Sequence, residues 1–242
     1  MKKAFLYYSF IPLIIGCSGQ SKNKDMATAA PKEEASVHMK AKTINEDLPT
    51  IGVLIFEGVI MNEVIAPLDV FSNTDAKGKT RFNVITIATE NKTYHSAHGL
   101  QITPDYTVDE VPELTVLVVP SSYNPADQTS DSKLVAFVRE QNKTTDYVAS
   151  HCAGAFIIGE TGIADGREIV TYVTGGKALQ ADYPALKVAD DSKVAVVQDG
   201  KFISSNGSLV SYIASFDLLE KLTDTNHRKF VESAILFDRL KM

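Results

Sequence analysis

Apolar residues in this chain fall into short unbroken runs set between amphipathic stretches. Ile51-Gly52-Val53-Leu54-Ile55-Phe56, residues 82–89 (FNVITIAT) and residues 114–119 (LTVLVV) are too continuously apolar for strands that show one face to water. Such runs suit strands of a parallel sheet covered on both sides. Between them the pattern turns helical. Residues 63–71 read as a helix with Asn62 as its cap and Pro67 inside it, and residues 131–142 as another. Residues 94–104, with Gly99, read as a small hairpin. Residues 146–150 form a further strand that runs into Cys152, and a helix follows over 153–159.

Residues 162–166 then make a turn, 168–173 are extended and 175–183 are helical. Residues 193–198 and 201–205 flank Asp199-Gly200, a pair suited to a tight hairpin. Asn206-Gly207-Ser208 opens a helix over 209–222, and a last helix covers 225–240. Strands alternating with helices predict an α/β layered fold with a mostly parallel sheet. Ligands in such folds collect beyond the carboxyl ends of the strands, the edge at which Cys152 falls.

The N-terminus has a different character. Lys2 and Lys3 precede an apolar run over 4–15, shorter than the about 20 residues a membrane span needs. The run ends Leu13-Ile14-Ile15-Gly16-Cys17, which resembles a bacterial lipoprotein signal over residues 1–16, with Cys17 to be lipidated. Residues 17–47 are then a lipidated cysteine and a polar tether unable to bury a core, His38 included. The expected location is the cell envelope, with a lipid anchor in a bacterial membrane. Residues 48–242 suit one domain.

The chain carries a net charge of −6, and loss of residues 1–16 takes two lysines and no acid, leaving −8. With no basic cluster, nucleic-acid binding is not expected. No Cys-x-x-Cys or His-Glu-x-x-His occurs, so neither a metal nor another cofactor is expected. If lipid consumes Cys17, the mature chain keeps one thiol, Cys152, and no intramolecular disulfide can form.

Three motifs in order resemble the DJ-1/PfpI family of the class I glutamine-amidotransferase-like superfamily. Ile51 to Gly58 is followed by Glu63-Val64-Ile65-Ala66-Pro67-Leu68-Asp69-Val70-Phe71. Ala149-Ser150-His151-Cys152-Ala153-Gly154-Ala155 precedes Gly162-Ile163-Ala164-Asp165-Gly166-Arg167. Lys201-Phe202-Ile203-Ser204-Ser205-Asn206-Gly207 leads into an apolar helix. The likeness spans nearly all of residues 50–240 and is greatest to the branch of isonitrile hydratases and the ligand-side domains of AraC-type regulators. It implies a flavodoxin-like three-layer sandwich with a strand-Cys-helix nucleophile elbow. It further implies Cys152 as nucleophile, Glu63 as the acid touching it, and an oxyanion hole from the backbone N–H groups of Ser121, Ser122 and Ala153. The family commonly forms homodimers. Two departures stand out. Tyr172 occupies the place 20 residues after the nucleophile where many relatives have histidine, and Ala153, not histidine, follows Cys152. Without a histidine base, peptidase chemistry is not expected.

On its own chemistry, a thiol at an elbow before a helix N-terminus is expected to favour the thiolate. A buried Glu63 would hold a proton, to donate it to sulfur or shuttle it. Tyr172 offers a hydroxyl to a bound intermediate or packs on the core. His151 should point away from the thiol, as adjacent strand residues do. His95 and His98 read as exposed loop residues, His227 as a surface residue, and Asn206 and Ser208 as helix caps.

The leading expectation is a cysteine-dependent hydrolase or hydratase acting on a small electrophile. The alternatives are a non-catalytic small-ligand-binding protein and a redox-sensing or protective one whose single thiol is oxidised. The chain ends at Met242 with no room for a helix-turn-helix pair, which argues against a transcription factor.

Overall fold

A computed structural model describes residues 42–241. The signal over residues 1–16, Cys17 and the tether up to residue 41 lie outside the described residues. In chain order the elements are β1 (Thr50–Leu54), α1 (Met61–Ser72), β2 (Asn83–Ala88), β3 (Tyr94–His95), β4 (Gln101–Ile102), β5 (Tyr106–Thr107) and β6 (Val116–Val119). Next come α2 (Pro125–Thr129), α3 (Ser132–Gln141), β7 (Tyr147–His151), α4 (Gly154–Thr161), β8 (Glu168–Ile169) and α5 (Gly176–Asp182). The chain closes with β9 (Lys187–Val188), β10 (Val196–Asp199), β11 (Phe202–Ser205), α6 (Val210–Leu222), α7 (Thr225–Ala234) and a 3-10 turn (Phe237–Lys241).

Seven strands form the central sheet in the order β10-β11-β7-β6-β1-β2-β5. Every pairing in it is parallel except β10 with β11. This is the mostly parallel α/β sheet that the apolar runs predict, in the flavodoxin-like architecture that the resemblance implies. β1 and β6 are buried at every residue, as strands covered on both faces must be. Helices α1 and α6 pack together on one face, while α2 and α3 pack with α4 on the other. α4 (GAFIIGET) is apolar around most of its circumference because it is buried nearly throughout. No described helix is long and apolar enough to cross a membrane.

Several local expectations change. The segment before Leu48 is already fastened to the domain: Lys42 Nζ donates to Val84 O at 2.8 Å and Asn45 N to Asn83 Oδ1 at 2.9 Å. Asn62 is not the cap of α1; the helix starts at Met61, and Ile60 is anchored by its N–H on Ser121 O at 2.8 Å. Pro67 lies within α1 and has no N–H to give the Glu63 carbonyl, yet the helix continues because its buried face holds it to the sheet. The extended stretch after Gly166 shrinks to β8, paired with the short β9. The last helix stops at Ala234, and Leu236 at φ 62° separates it from the terminal turn. His227 is buried at 7% exposure, where a surface position was expected.

Candidate active site

β7 ends at His151, and the chain turns at once into α4 through Cys152, whose φ is 52°. A non-glycine residue in the left-handed region is uncommon and costs about 1–2 kcal/mol. Here the turn is held from three sides. Cys152 N donates to Ser205 O at 2.9 Å, Cys152 O accepts from Thr171 Oγ1 at 2.8 Å, and Asn206 Nδ2 fixes Thr171 O at 2.7 Å. Gly154 lets α4 begin this close to β6, since a Cβ there would lie 2.4 Å from Val119 O. The outcome is a half-buried thiol at the carboxyl edge of the sheet, the sharp strand-to-helix turn of a nucleophile elbow.

Glu63 comes from the first turn of α1 and is 1% exposed. Its carboxylate is clamped by two backbone donors, Ser121 N to Oε2 at 2.7 Å and Ser208 N to Oε1 at 3.2 Å. Cys152 lies beside the same carboxylate across Gly207, and each group shifts the other. Gly207, at φ 85°, makes the assembly sterically feasible. A Cβ on it would lie 2.3 Å from Cys152 Cβ and 2.4 Å from Glu63 Oε1.

The electrostatics follow from burial. Burial pushes the Glu63 carboxyl above its ordinary 4.5, against the pull of the Ser121 hydroxyl and the N–H groups of Ser121 and Ser208. Burial, then the Glu63 charge, push the Cys152 thiol up to about 11, against the Ser121 hydroxyl and the Ala153 N–H. The thiolate expected from the elbow and the α4 N-terminus is therefore not the resting form. The two groups compete for a single negative charge, and the doubly ionised pair is the penalised state.

Two of the three expected oxyanion donors are also otherwise engaged. Ser121 N serves Glu63, and Ala153 N serves the Cys152 sulfur. The Ser122 hydroxyl donates to Gln128 Oε1, and Ser122 bridges to Val59. Tyr172 has no hydrogen bond to Cys152 or Glu63. Its ring stacks on Phe156 with centroids 6.2 Å apart and lies over Gly175. Its neighbour Thr171 is the residue that reaches the elbow.

His151 is 1% exposed, with Nδ1 2.8 Å from Ser205 Oγ, which also accepts from Gly207 N at 3.2 Å. Burial holds its pKa down at about 3, so the ring is neutral. His95 and His98 are exposed; His95 Nδ1 lies 3.4 Å from Glu57, and His98 Nε2 lies 3.4 Å from the Tyr123 hydroxyl. Asn206 and Ser208 do not cap α6 with their side chains; they support Thr171 and Glu63. Gly207, Ser208 and Thr171 are the site residues that pattern reading left out. Only the glycine between two polar residues at the mouth of a helix marked that turn beforehand.

A thiol on a strand-to-helix elbow, with a buried acid from the first helix against it, defines an α/β protein of the cysteine-elbow class. No group of three or more metal-ligating side chains occurs among the described residues. The chain belongs to the DJ-1/PfpI family, whose model matches residues 49–221. It is similar to the isonitrile hydratase of Pseudomonas putida, 25% identical over 183 residues that cover 75% of each chain. It is also similar to the HTH-type transcriptional regulator GbdR of Pseudomonas aeruginosa, 21% identical over 204 residues, or 81% of this chain and 53% of the regulator. The chain thus spans about half of that relative's length. Among solved structures, a ThiJ/PfpI family protein from Pseudomonas syringae superposes with a TM-score of 0.70 at 21% identity, covering 84% of this chain and 83% of that one. DJ-1beta of Drosophila melanogaster gives 0.68 at 21% identity, covering 78% and 98%.

Proposed function

We propose that this protein is a cysteine-dependent hydratase or hydrolase that acts on a small electrophilic carbon, an isonitrile being the first substrate class to test. The observation that carries this reading is the protonated thiol of Cys152, held at a left-handed turn beside the buried carboxyl of Glu63. A thiol raised to about 11 does not act as a standing thiolate; it acts as an S–H with a base already in contact.

The chemistry balances. Sulfur bonds to the isonitrile carbon as its proton passes to Glu63 and on to that carbon, giving a thioformimidate. Water then adds to the carbon, and the nitrogen takes up a proton. Collapse expels the thiol and leaves an N-substituted formamide. The net reaction adds one water. The oxyanion donors Ser121 and Ala153 are already engaged, which suits a reaction whose first step builds no oxyanion.

Incubating the full chain with cyclohexyl isonitrile and measuring the formamide by mass spectrometry tests this. Cys152→Ala should lower turnover at least a thousandfold. Equal formamide production by wild type and variant would overturn the reading. If neither turns over and the isonitrile raises both melting temperatures equally, ligand binding without chemistry takes its place.

The same proposal places the domain in the cell envelope through a lipid on Cys17, on the strength of Leu13-Ile14-Ile15-Gly16-Cys17. Metabolic labelling with a fatty acid should mark the chain, and labelling that persists in Cys17→Ala would sink that part.

A further inference from the structure

Ser121 presents a feature that the clamp on Glu63 leaves unexplained. Its backbone is fixed at both ends, the N–H on Glu63 Oε2 and the C=O on Ile60 N. Its side chain is therefore placed, not free to drift. The residue is 1% exposed, and its Oγ completes no well-formed hydrogen bond. A buried hydroxyl without a partner is uncommon. Its backbone N–H is on Glu63 Oε2, and its hydroxyl pulls down the pKa of both the Glu63 carboxyl and the Cys152 thiol.

A serine hydroxyl has one proton and a free rotor. Carboxylate and sulfur each bear the negative charge in one arrangement of the pair. We propose that the Ser121 hydroxyl is the donor that follows this charge, turning from Glu63 to Cys152 as the proton crosses from sulfur to carboxylate. Before transfer, the thiol is protonated and the Ser121 O–H points to the carboxylate. After transfer, Glu63 holds the proton and the O–H points to the thiolate. One proton moves, Ser121 keeps its own, and the charge of the pair stays constant. A hydroxyl committed to a fixed partner elsewhere could not do this, and Ser121 Oγ has no such partner.

The proposal rests on the reading of Cys152 as the reactive thiol, and it gives the Ser121 side chain a role where the family resemblance implies only its backbone N–H. Glu63 is the charged group that acts on Cys152. His151 adjoins the pair in sequence but is neutral, with Nδ1 on Ser205.

Whichever group holds the charge, loss of the hydroxyl must raise the pH at which the pair first releases a proton. The test is the rate of Cys152 alkylation by iodoacetamide in the full chain from pH 5 to 11, with peptide mass spectrometry reading Cys152 apart from Cys17. Ser121→Ala should move the midpoint up by about one pH unit, a rate about tenfold lower on the rising limb. Ser121→Thr keeps the hydroxyl and should stay within about twofold of wild type. Should Ser121→Ala not fold, Ser121→Gly removes the same group and is read the same way. A shift in both the hydroxyl-free and the threonine variant, or in neither, overturns the proposal. Because alkylation needs no turnover, this result is independent of whether isonitriles are hydrated.

Discussion

Two strand-to-helix junctions lie side by side at the carboxyl edge of the sheet. β7 enters α4 through Cys152 at φ 52°, and its parallel neighbour β11 enters α6 through Ser208 at φ 51°. The backbone makes the same left-handed step at both, and both end on Glu63. Cys152 brings its side chain to the carboxylate, whereas Ser208 brings its backbone N–H, 3.2 Å from Oε1. One junction thus exposes a reactive atom and the other orients the base beside it. A positive φ on a non-glycine residue marks a built position, but it does not say whether the side chain or the backbone is the working part.

The sharpest way to break the pair is at Gly207, which separates the junctions. Gly207→Ala places a Cβ against Cys152 Cβ and Glu63 Oε1 and forces alanine to φ 85°. Left-handed strain and overpacking together should cost about 4 kcal/mol. For a domain of this size that is a loss of roughly 10 °C in melting temperature. Relief requires Cys152 or Glu63 to move, so Cys152 alkylation should lose its wild-type pH profile as well. A variant that melts within a degree of wild type would show that the two junctions are less tightly coupled than the geometry requires.

A second perturbation acts beneath both junctions. His151 and Ser205 are register partners on β7 and β11, and their side chains meet at 2.8 Å. Burial holds His151 down at about 3, against an ordinary 6.5. Below 6.5 the unfolded chain takes up a proton that the folded one refuses, so stability falls as pH drops from 6.5 towards 3. By pH 4 the loss should reach about 3 kcal/mol. Glu63 works the other way: its raised carboxyl gives stability that is fully present below 4.5 and lost as pH rises. Thermal melts of wild type and His151→Asn between pH 7 and 4 separate the two. The wild-type slope should flatten in the variant; parallel slopes would mean that His151 is not the titrating group.

How much of this could be read beforehand follows from which interactions are local. The strands showed themselves because burial on both faces leaves continuous apolar runs, and β1, β2 and β6 fall where those runs lie. The helix read from residue 131 begins at Ser132, because the Asp131 side chain caps it by bonding the N–H groups two and three residues on. The site was legible only at Cys152 and Glu63, where the motif carries the chemistry. Ser121 N on Glu63, Thr171 on the Cys152 carbonyl and Ser208 N on Glu63 join residues 58, 19 and 145 positions apart. No periodicity encodes such contacts. The upward push on the Cys152 thiol was hidden for the same reason: the elbow is local and favours the thiolate, whereas the burial and the Glu63 charge that oppose it come from the tertiary fold.

The smallest effect bears most directly on the difference between the junctions. If Ser208 contributes only backbone, its side chain should matter less than the conformation it is made to adopt. Its hydroxyl has a single contact, Asn62 Nδ2 at 3.5 Å, too long to contribute much. Ser208→Ala keeps the left-handed strain and drops that contact. Ser208→Gly drops the strain and adds chain entropy to the unfolded state. Strain at a left-handed position is about 1–2 kcal/mol, and the extra entropy cost of glycine is about 0.5–1 kcal/mol, so glycine should be more stable than alanine by about 1 kcal/mol. Urea denaturation of the two variants gives that difference directly. An alanine variant as stable as the glycine one, or more so, would mean that the backbone at Ser208 is unstrained. The likeness between the two turns would then be one of angle alone, and the strain at Cys152 would be specific to the thiol.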